Sequence, residues 1–148
     1  MSGTTGHATA VSCVFCAVVA GDAEAHLVLD EEHVMAFLDR APVFHGHVLV
    51  VPRPHFQTLP DLPLELLGDL FEAVRRVAGA IEAASGLGAH GSFVAINNRV
   101  SQSVPHLHVH VVPRHRKDGL RGFFWPRQRY AGDEEMAQVA ELITRGLN

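Results

Sequence analysis

Apolar residues in this chain recur with two different periods, and the change from one to the other sets the expected fold. Short apolar and β-branched runs occur at His26 to Leu29 (HLVL), Val34 to Leu38 (VMAFL), His47 to Val51 (HVLVV), Ser92 to Ile96 (SFVAI) and Val104 to Val112, separated by Gly, Pro and Asp turn signals. These predict five strands. Between the third and fourth runs, Leu62, Leu66, Leu67, Leu70, Phe71, Val74, Val77, Ala78 and Ile81 follow helical spacing, with Asp61 and Pro63 suited to the start and Gly86 and Gly88 to the stop. A second helix is expected from near Asp133, with Met136, Val139, Ala140 and Ile143 on one face. With one long crossover, the pattern predicts an α+β domain with a largely antiparallel sheet, not a doubly wound parallel one.

A length of 148 residues and 47% hydrophobic content support one packed core. A single domain over residues 13–148 is expected, preceded by a flexible tail, because residues 1–12 are small, polar and aperiodic. The formal charge of −4 argues against wrapping a polyanion, so nucleic acid is not an expected partner. The apolar run Val11 to Ala20 has no Lys or Arg before it and holds two cysteines, so it reads as mature sequence rather than a signal peptide. No stretch approaches the roughly 20 apolar residues of a membrane span, and two cysteines do not make a secreted disulfide scaffold. A cytoplasmic protein with no membrane partner is the expectation.

Histidine changes this picture. Most of the 11 histidines fall in two stretches, His45 to His55 and His106 to His115. In Val104-Pro105-His106-Leu107-His108-Val109-His110-Val111-Val112, strand alternation puts His106, His108 and His110 on one face and Leu107, Val109 and Val111 on the core face. Adjacent imidazoles cannot all be protonated comfortably, so at least one is expected to stay neutral and nucleophilic near neutral pH. A pair at i, i+2 could also hold a metal. Cys13-Val14-Phe15-Cys16 on its own is compatible with redox chemistry, metal binding or chance; the strand and long helix of a thioredoxin-like site are not evident around it.

The run His106 to Val112 resembles the His-x-His-x-His-x-x signature of the histidine triad (HIT) superfamily. Cys13 to Cys16, Phe37 to Pro42, Gly46 to His55 and Asn97 to Pro113 also resemble family blocks, in family order, so the likeness covers residues 13–118. It implies a HIT-like fold and a homodimer, with His108 as the nucleophile that takes up the α-phosphate of a nucleotide and His110 as a phosphate contact. Nucleophilic catalysis of this kind splits one hard displacement into two easier ones. By the same resemblance Gln102 and Ser103 touch phosphate or leaving group, Asn97 lies near the phosphate and His47 orients the nucleophile or its strand. Asp39 would accept hydrogen bonds from both ribose hydroxyls, a task suited to a carboxylate's two acceptor oxygens. Phe15, Val18, Phe37 and Leu49 resemble the nucleobase pocket. The segment Asn97 to Gln102 is shorter than the glycine-rich loop of many members, and Arg99 stands where small residues are common, which leaves the leaving group open.

Zinc-bearing members of the family suggest a role for the cysteines. Cys13, Cys16, His55 and His106 make a Cys₂His₂ set, which would close a zinc shell as a structural site and leave His108 and His110 for catalysis. Downstream, Arg114, Arg116, Lys117, Arg121, Arg127 and Arg129 interleave with Phe123, Phe124, Trp125 and Tyr130. This segment could be a solvated loop, a single-strand nucleic-acid surface, or a polyphosphate or dimer contact; the last fits the family best. The implied function is a nucleotide hydrolase acting on phosphoramidates or dinucleoside polyphosphates, with a nucleotide- or partner-binding module and a nucleotidyltransferase as alternatives.

Overall fold

The computed structural model describes residues 12–120 and 127–147. Residues 1–11 of the expected tail, and Arg121, Phe123, Phe124 and Trp125 of the basic aromatic segment, lie outside them. The chain divides into two compact units, the first ending at Arg116 and the second beginning at Lys117.

In the first unit, α1 (Val14–Ala20) is followed by β1 (Leu27–Asp30), β2 (Val34–Leu38), β3 (Val48–Pro52), α2 (Leu64–Ala83), β4 (Gly91–Ala95) and β5 (Val109–Arg114). The strands form one sheet in the order β1-β2-β3-β5-β4 with every neighbouring pair antiparallel, the α+β arrangement expected from the pattern. Strands β2 and β3 are buried almost throughout. Their unbroken apolar sequence reflects cover on both faces. Val34, Ala36, Val48, Val50, Val109 and Val111 pack against Leu70, Val74 and Val77 of α2. The alternate residues Met35, Phe37, Leu49 and Val51 meet Phe15 and Val18 of α1.

Two expectations need correction. The histidine segment is a strand only from Val109; before it, residues 103–108 leave the ladder, and the Leu107 N–H donates to the Phe56 carbonyl at 2.6 Å instead of to a neighbouring strand. The in-and-out alternation nonetheless persists, since Leu107 is in the α2-side core with Val109 and Val111. Nor is the histidine face open: His106 and His108 are 0% and 3% exposed, because α1 covers them. This helix has no counterpart in the sequence reading. Cys13 caps its start by accepting the Cys16 N–H on Sγ, and Gly21 ends it at φ 81°, a left-handed conformation that glycine adopts without steric penalty.

The second unit contains α3 (Asp133–Gly146), with Asp133, Glu134 and Glu135 in its first turn and Arg145 in its last, charges that complement the helix dipole. It buries none of its residues, and Met136 and Ile143 of the expected apolar face are 49% and 64% exposed.

Candidate active site and metal centre

A cavity of about 350 Å³ opens on the α1 face of the sheet. Phe15, Val18, Phe37 and Leu49 supply apolar wall, while Asp39, Ser103, His108 and His110 bring polar groups to the same space. These are eight of the eleven residues singled out for catalysis or nucleotide contact. His110 is brought there by register, paired with Leu49 on one side and Ala95 on the other. Phe15 presents its ring edge-on to Phe37 and His108, at centroid distances of 5.3 and 5.1 Å.

Backbone groups fix which nitrogen of each imidazole carries its proton. His108 Nδ1 lies 2.8 Å from the His106 carbonyl, which can only accept, so Nδ1 donates and Nε2 of the neutral ring keeps a free lone pair. The Val43 N–H can only donate, and it meets His47 Nδ1 at 3.1 Å. His47 therefore carries its proton on Nε2, which faces His110 Nδ1 at 3.0 Å and Asp39 Oδ2 at 3.6 Å. It follows that His110 accepts on Nδ1 and bears its own proton on Nε2. The donor atoms of Asp39, His47 and His110 lie within 4.8 Å of one another, but His47 Nε2 carries a proton that it gives to His110 Nδ1 and so offers no lone pair to a metal.

Burial disfavours the imidazolium form at this site. It lowers the pKa of His110 to about 4, with the neighbouring His108 and His47 adding to the effect and Asp39 opposing it. His47 is lowered by the same desolvation, partly offset by Asp39.

The remaining three residues stand outside the cavity lining. His47 is buried beside the site and acts on it through His110. Gln102 turns its amide into the loop, donating from Nε2 to the Gln57 carbonyl at 2.7 Å and accepting the Arg99 N–H on Oε1 at 2.9 Å. Asn97 is exposed. The cavity is also lined by His26 and Arg40, which the sequence reading did not select; Arg40 donates to the Glu24 carbonyl at 2.6 Å and so fixes the outer wall.

Adjacent to the cavity, Cys13, Cys16, His55 and His106 converge, all four donor atoms lying within 4.8 Å of one another. Cys16 Sγ is 3.1 Å from His55 Nδ1, and both sulfurs are 3.5 Å from His106 Nδ1. These separations match the edges of a tetrahedron with metal–ligand bonds of about 2.0–2.3 Å. His106 Nε2 donates to the Pro52 carbonyl at 2.9 Å, which turns the lone pair of Nδ1 toward the sulfurs. Without a cation, burial and the adjoining Cys13 push the Cys16 thiol up to about 11, and burial lowers His106 to about 4. A metal ion reverses the preference of the thiol by binding the thiolate. The two thiols and two inward-facing imidazole nitrogens thus fit a structural zinc.

The chain is similar to known proteins of one family. The HIT domain family model matches residues 20–117. "Protein hit" of Bacillus subtilis is 34% identical over 145 residues, covering 93% of this chain and 96% of that relative. The adenosine 5'-monophosphoramidase hnt1 of Schizosaccharomyces pombe is 31% identical, covering 91% and 98%. Among solved structures, a HIT family protein from Bacillus anthracis superposes with a TM-score of 0.82 at 31% identity, covering 93% of this chain and 98% of that one. A Zn-bound histidine triad family protein from Mycobacterium smegmatis does so with a TM-score of 0.71 at 38% identity, covering 92% and 99%. The cavity, the ordered imidazoles and these likenesses have one common account: the chain belongs to the HIT domain family.

Proposed function

We propose that this protein is a nucleotide hydrolase that cleaves at the α-phosphate through a nucleotidyl-histidine intermediate. The observation that carries the reading is the bond from His108 Nδ1 to the His106 carbonyl, which leaves an unprotonated Nε2 on a ring lining the cavity. In the first step Nε2 forms a bond to phosphorus as the bond to the leaving group breaks. The positive charge this places on the ring is stabilised by the His106 carbonyl that accepts from Nδ1. His110 offers Nε2–H to a phosphoryl oxygen, and Ser103 is the hydroxyl among the cavity-lining residues that can give a hydrogen bond to the leaving group. An amine leaving group also takes up a proton, which Ser103 passes on from water and which returns to solvent when a water molecule adds in the second step. In the second step water adds to phosphorus, the N–P bond breaks and the nucleoside monophosphate departs with His108 regenerated.

Asp39 would hold the ribose. Its Oδ1 accepts the Ala41 N–H at 2.9 Å, and its carboxylate reaches the cavity with acceptor capacity to spare. The base would pack among Phe15, Val18, Phe37 and Leu49. Cys13, Cys16, His55 and His106 would hold zinc with no open position, so that the metal supplies rigidity rather than Lewis acidity.

The test is intact-protein mass after rapid quenching with adenosine 5'-phosphoramidate. The expected result is a gain of one adenylyl group in wild type and none in His108→Ala. No adduct and no turnover in wild type would point instead to a nucleotide-binding module.

A further inference from the structure

Between β4 and the histidine segment, the loop of residues 97–102 holds two non-glycine residues in the left-handed region, Arg99 at φ 70° and Ser101 at φ 61°. Such backbone is costly for a residue with a Cβ and persists where surrounding contacts impose it. Here the contacts are visible: the Gln102 side chain bridges the Arg99 N–H and the Gln57 carbonyl, the Gln102 N–H reaches the Arg99 carbonyl at 3.4 Å, and Asn98 Oδ1 accepts the Leu59 N–H at 2.9 Å. The bond from the Gln102 N–H to the Arg99 carbonyl closes a turn over residues 99–102. Ser103, the next residue, lines the cavity beside His108. The backbone that carries Arg99 is therefore pinned in the turn that leads directly into the residue read as facing the leaving group, while Arg99 itself is exposed. Arg40, which lines the cavity, is bound to the Glu24 carbonyl.

We propose that Arg99 sets the leaving-group preference of the site, favouring a leaving group that departs as an anion, such as a nucleoside polyphosphate, over a neutral amine. The inference rests on the hydrolase reading above and specifies its substrate class. When His108 Nε2 bonds to the α-phosphorus of a dinucleoside polyphosphate, the bridging P–O bond breaks and its electron pair leaves on the phosphate oxygen. No proton is required, and a guanidinium beside that oxygen offsets the developing charge. When the same attack expels an amine, the nitrogen must gain a proton. A nearby fixed cation then gives no help. The advantage of Arg99 is thus specific to one class of leaving group, which makes it separable from any effect on His108.

The experiment compares kcat/KM for diadenosine tetraphosphate and adenosine 5'-phosphoramidate in wild type, Arg99→Gln, Arg99→Gly and Arg99→Lys. Glycine suits φ 70°, so loss of backbone fit cannot account for its behaviour. Arg99→Gln and Arg99→Gly are expected to lower kcat/KM for the polyphosphate roughly tenfold relative to the phosphoramidate. Arg99→Lys should recover part of the loss, and added salt should narrow the difference in wild type. Equal changes with both substrates, or none with either, would overturn the proposal while leaving the nucleotidyl-histidine reading intact. Failure of both substrates to give an adduct on wild-type His108 would overturn that reading and this one with it.

Discussion

Placing three imidazoles beside one another in a covered site should make the protein sensitive to acid, and His110 allows the effect to be isolated. Its folded pKa of about 4 lies below the value of about 6.5 expected in the unfolded chain. The sign follows from proton binding. Above pH 6.5 neither state holds the proton and there is no penalty; as pH falls toward 4 the unfolded chain takes it up first, so folding stability declines. At pH 5 the two pKa values give about 2 kcal/mol for full separation from solvent. The ring is only half-buried, and screening reduces this to about 1 kcal/mol. His110→Asn removes the titration while keeping an oxygen able to accept the His47 Nε2–H. Urea unfolding at pH 7 and pH 5 should show wild type losing about 1 kcal/mol more than the variant over that interval. The Cys₂His₂ cluster is common to both proteins, so its own acid response cancels in the difference. Parallel losses in the two proteins would refute the account of His110 as a ring kept neutral by burial.

Three further outcomes are expected. Gly46→Ala should destabilise by roughly 1–3 kcal/mol in chemical denaturation, because Gly46 has φ 98° and an added Cβ would stand 3.1 Å from Leu87 Cδ1 and 3.3 Å from Pro113 Cγ. Asp39→Asn should raise KM for a ribonucleotide roughly tenfold or more while leaving a 2',3'-dideoxyribonucleotide little affected, since a carboxylate can accept from both hydroxyls; equal effects on the two would count against the ribose contact. Leu70→Ala, at a fully buried position on α2, should cost about 2–5 kcal/mol in the same unfolding assay.

The architecture was legible where a segment is long or covered on both faces. The spacing from Leu62 to Ile81 announced α2, and the unbroken apolar runs announced β2 and β3 within a residue of their ends. Helix α1 was missed because seven residues give too little periodicity: only Phe15 and Val18 are buried, and the N-cap is a cysteine. Gly21 was the available sign of its end. The start of β5 was misplaced for a non-local reason. Leu107 donates to a carbonyl 51 residues earlier in the chain, a partner no local pattern reveals. Gln102 shows the same limit, since its amide bonds Gln57, 45 residues away, and stabilises the loop. The clustering of the imidazoles was written in residue types, whereas the protonation pattern on which the proposed chemistry rests comes from backbone groups at Val43, Pro52 and His106.

His106 ties the two halves of the site together. Its side chain faces Cys13 and Cys16, while its carbonyl accepts the proton of His108 Nδ1, so the group that orients the proposed nucleophile belongs to a member of the Cys₂His₂ cluster. Loosening that cluster should therefore reach the chemistry before it reaches nucleotide binding, because Phe37, Asp39 and Leu49 are carried by β2, the residue after it and β3, and only Phe15 and Val18 of the nucleobase wall share α1 with Cys16. Cys16→Ser, or removal of metal with a chelator, is expected to slow adduct formation on His108 roughly tenfold or more. The dissociation constant for adenosine 5'-monophosphate should stay within roughly threefold in the same samples, provided far-ultraviolet circular dichroism shows them folded. A rate loss matched by an equal loss of nucleotide affinity would mean that the cluster supports the domain as a whole. A rate that survives metal removal would mean that the bond between His108 and the His106 carbonyl needs no support from the cysteines.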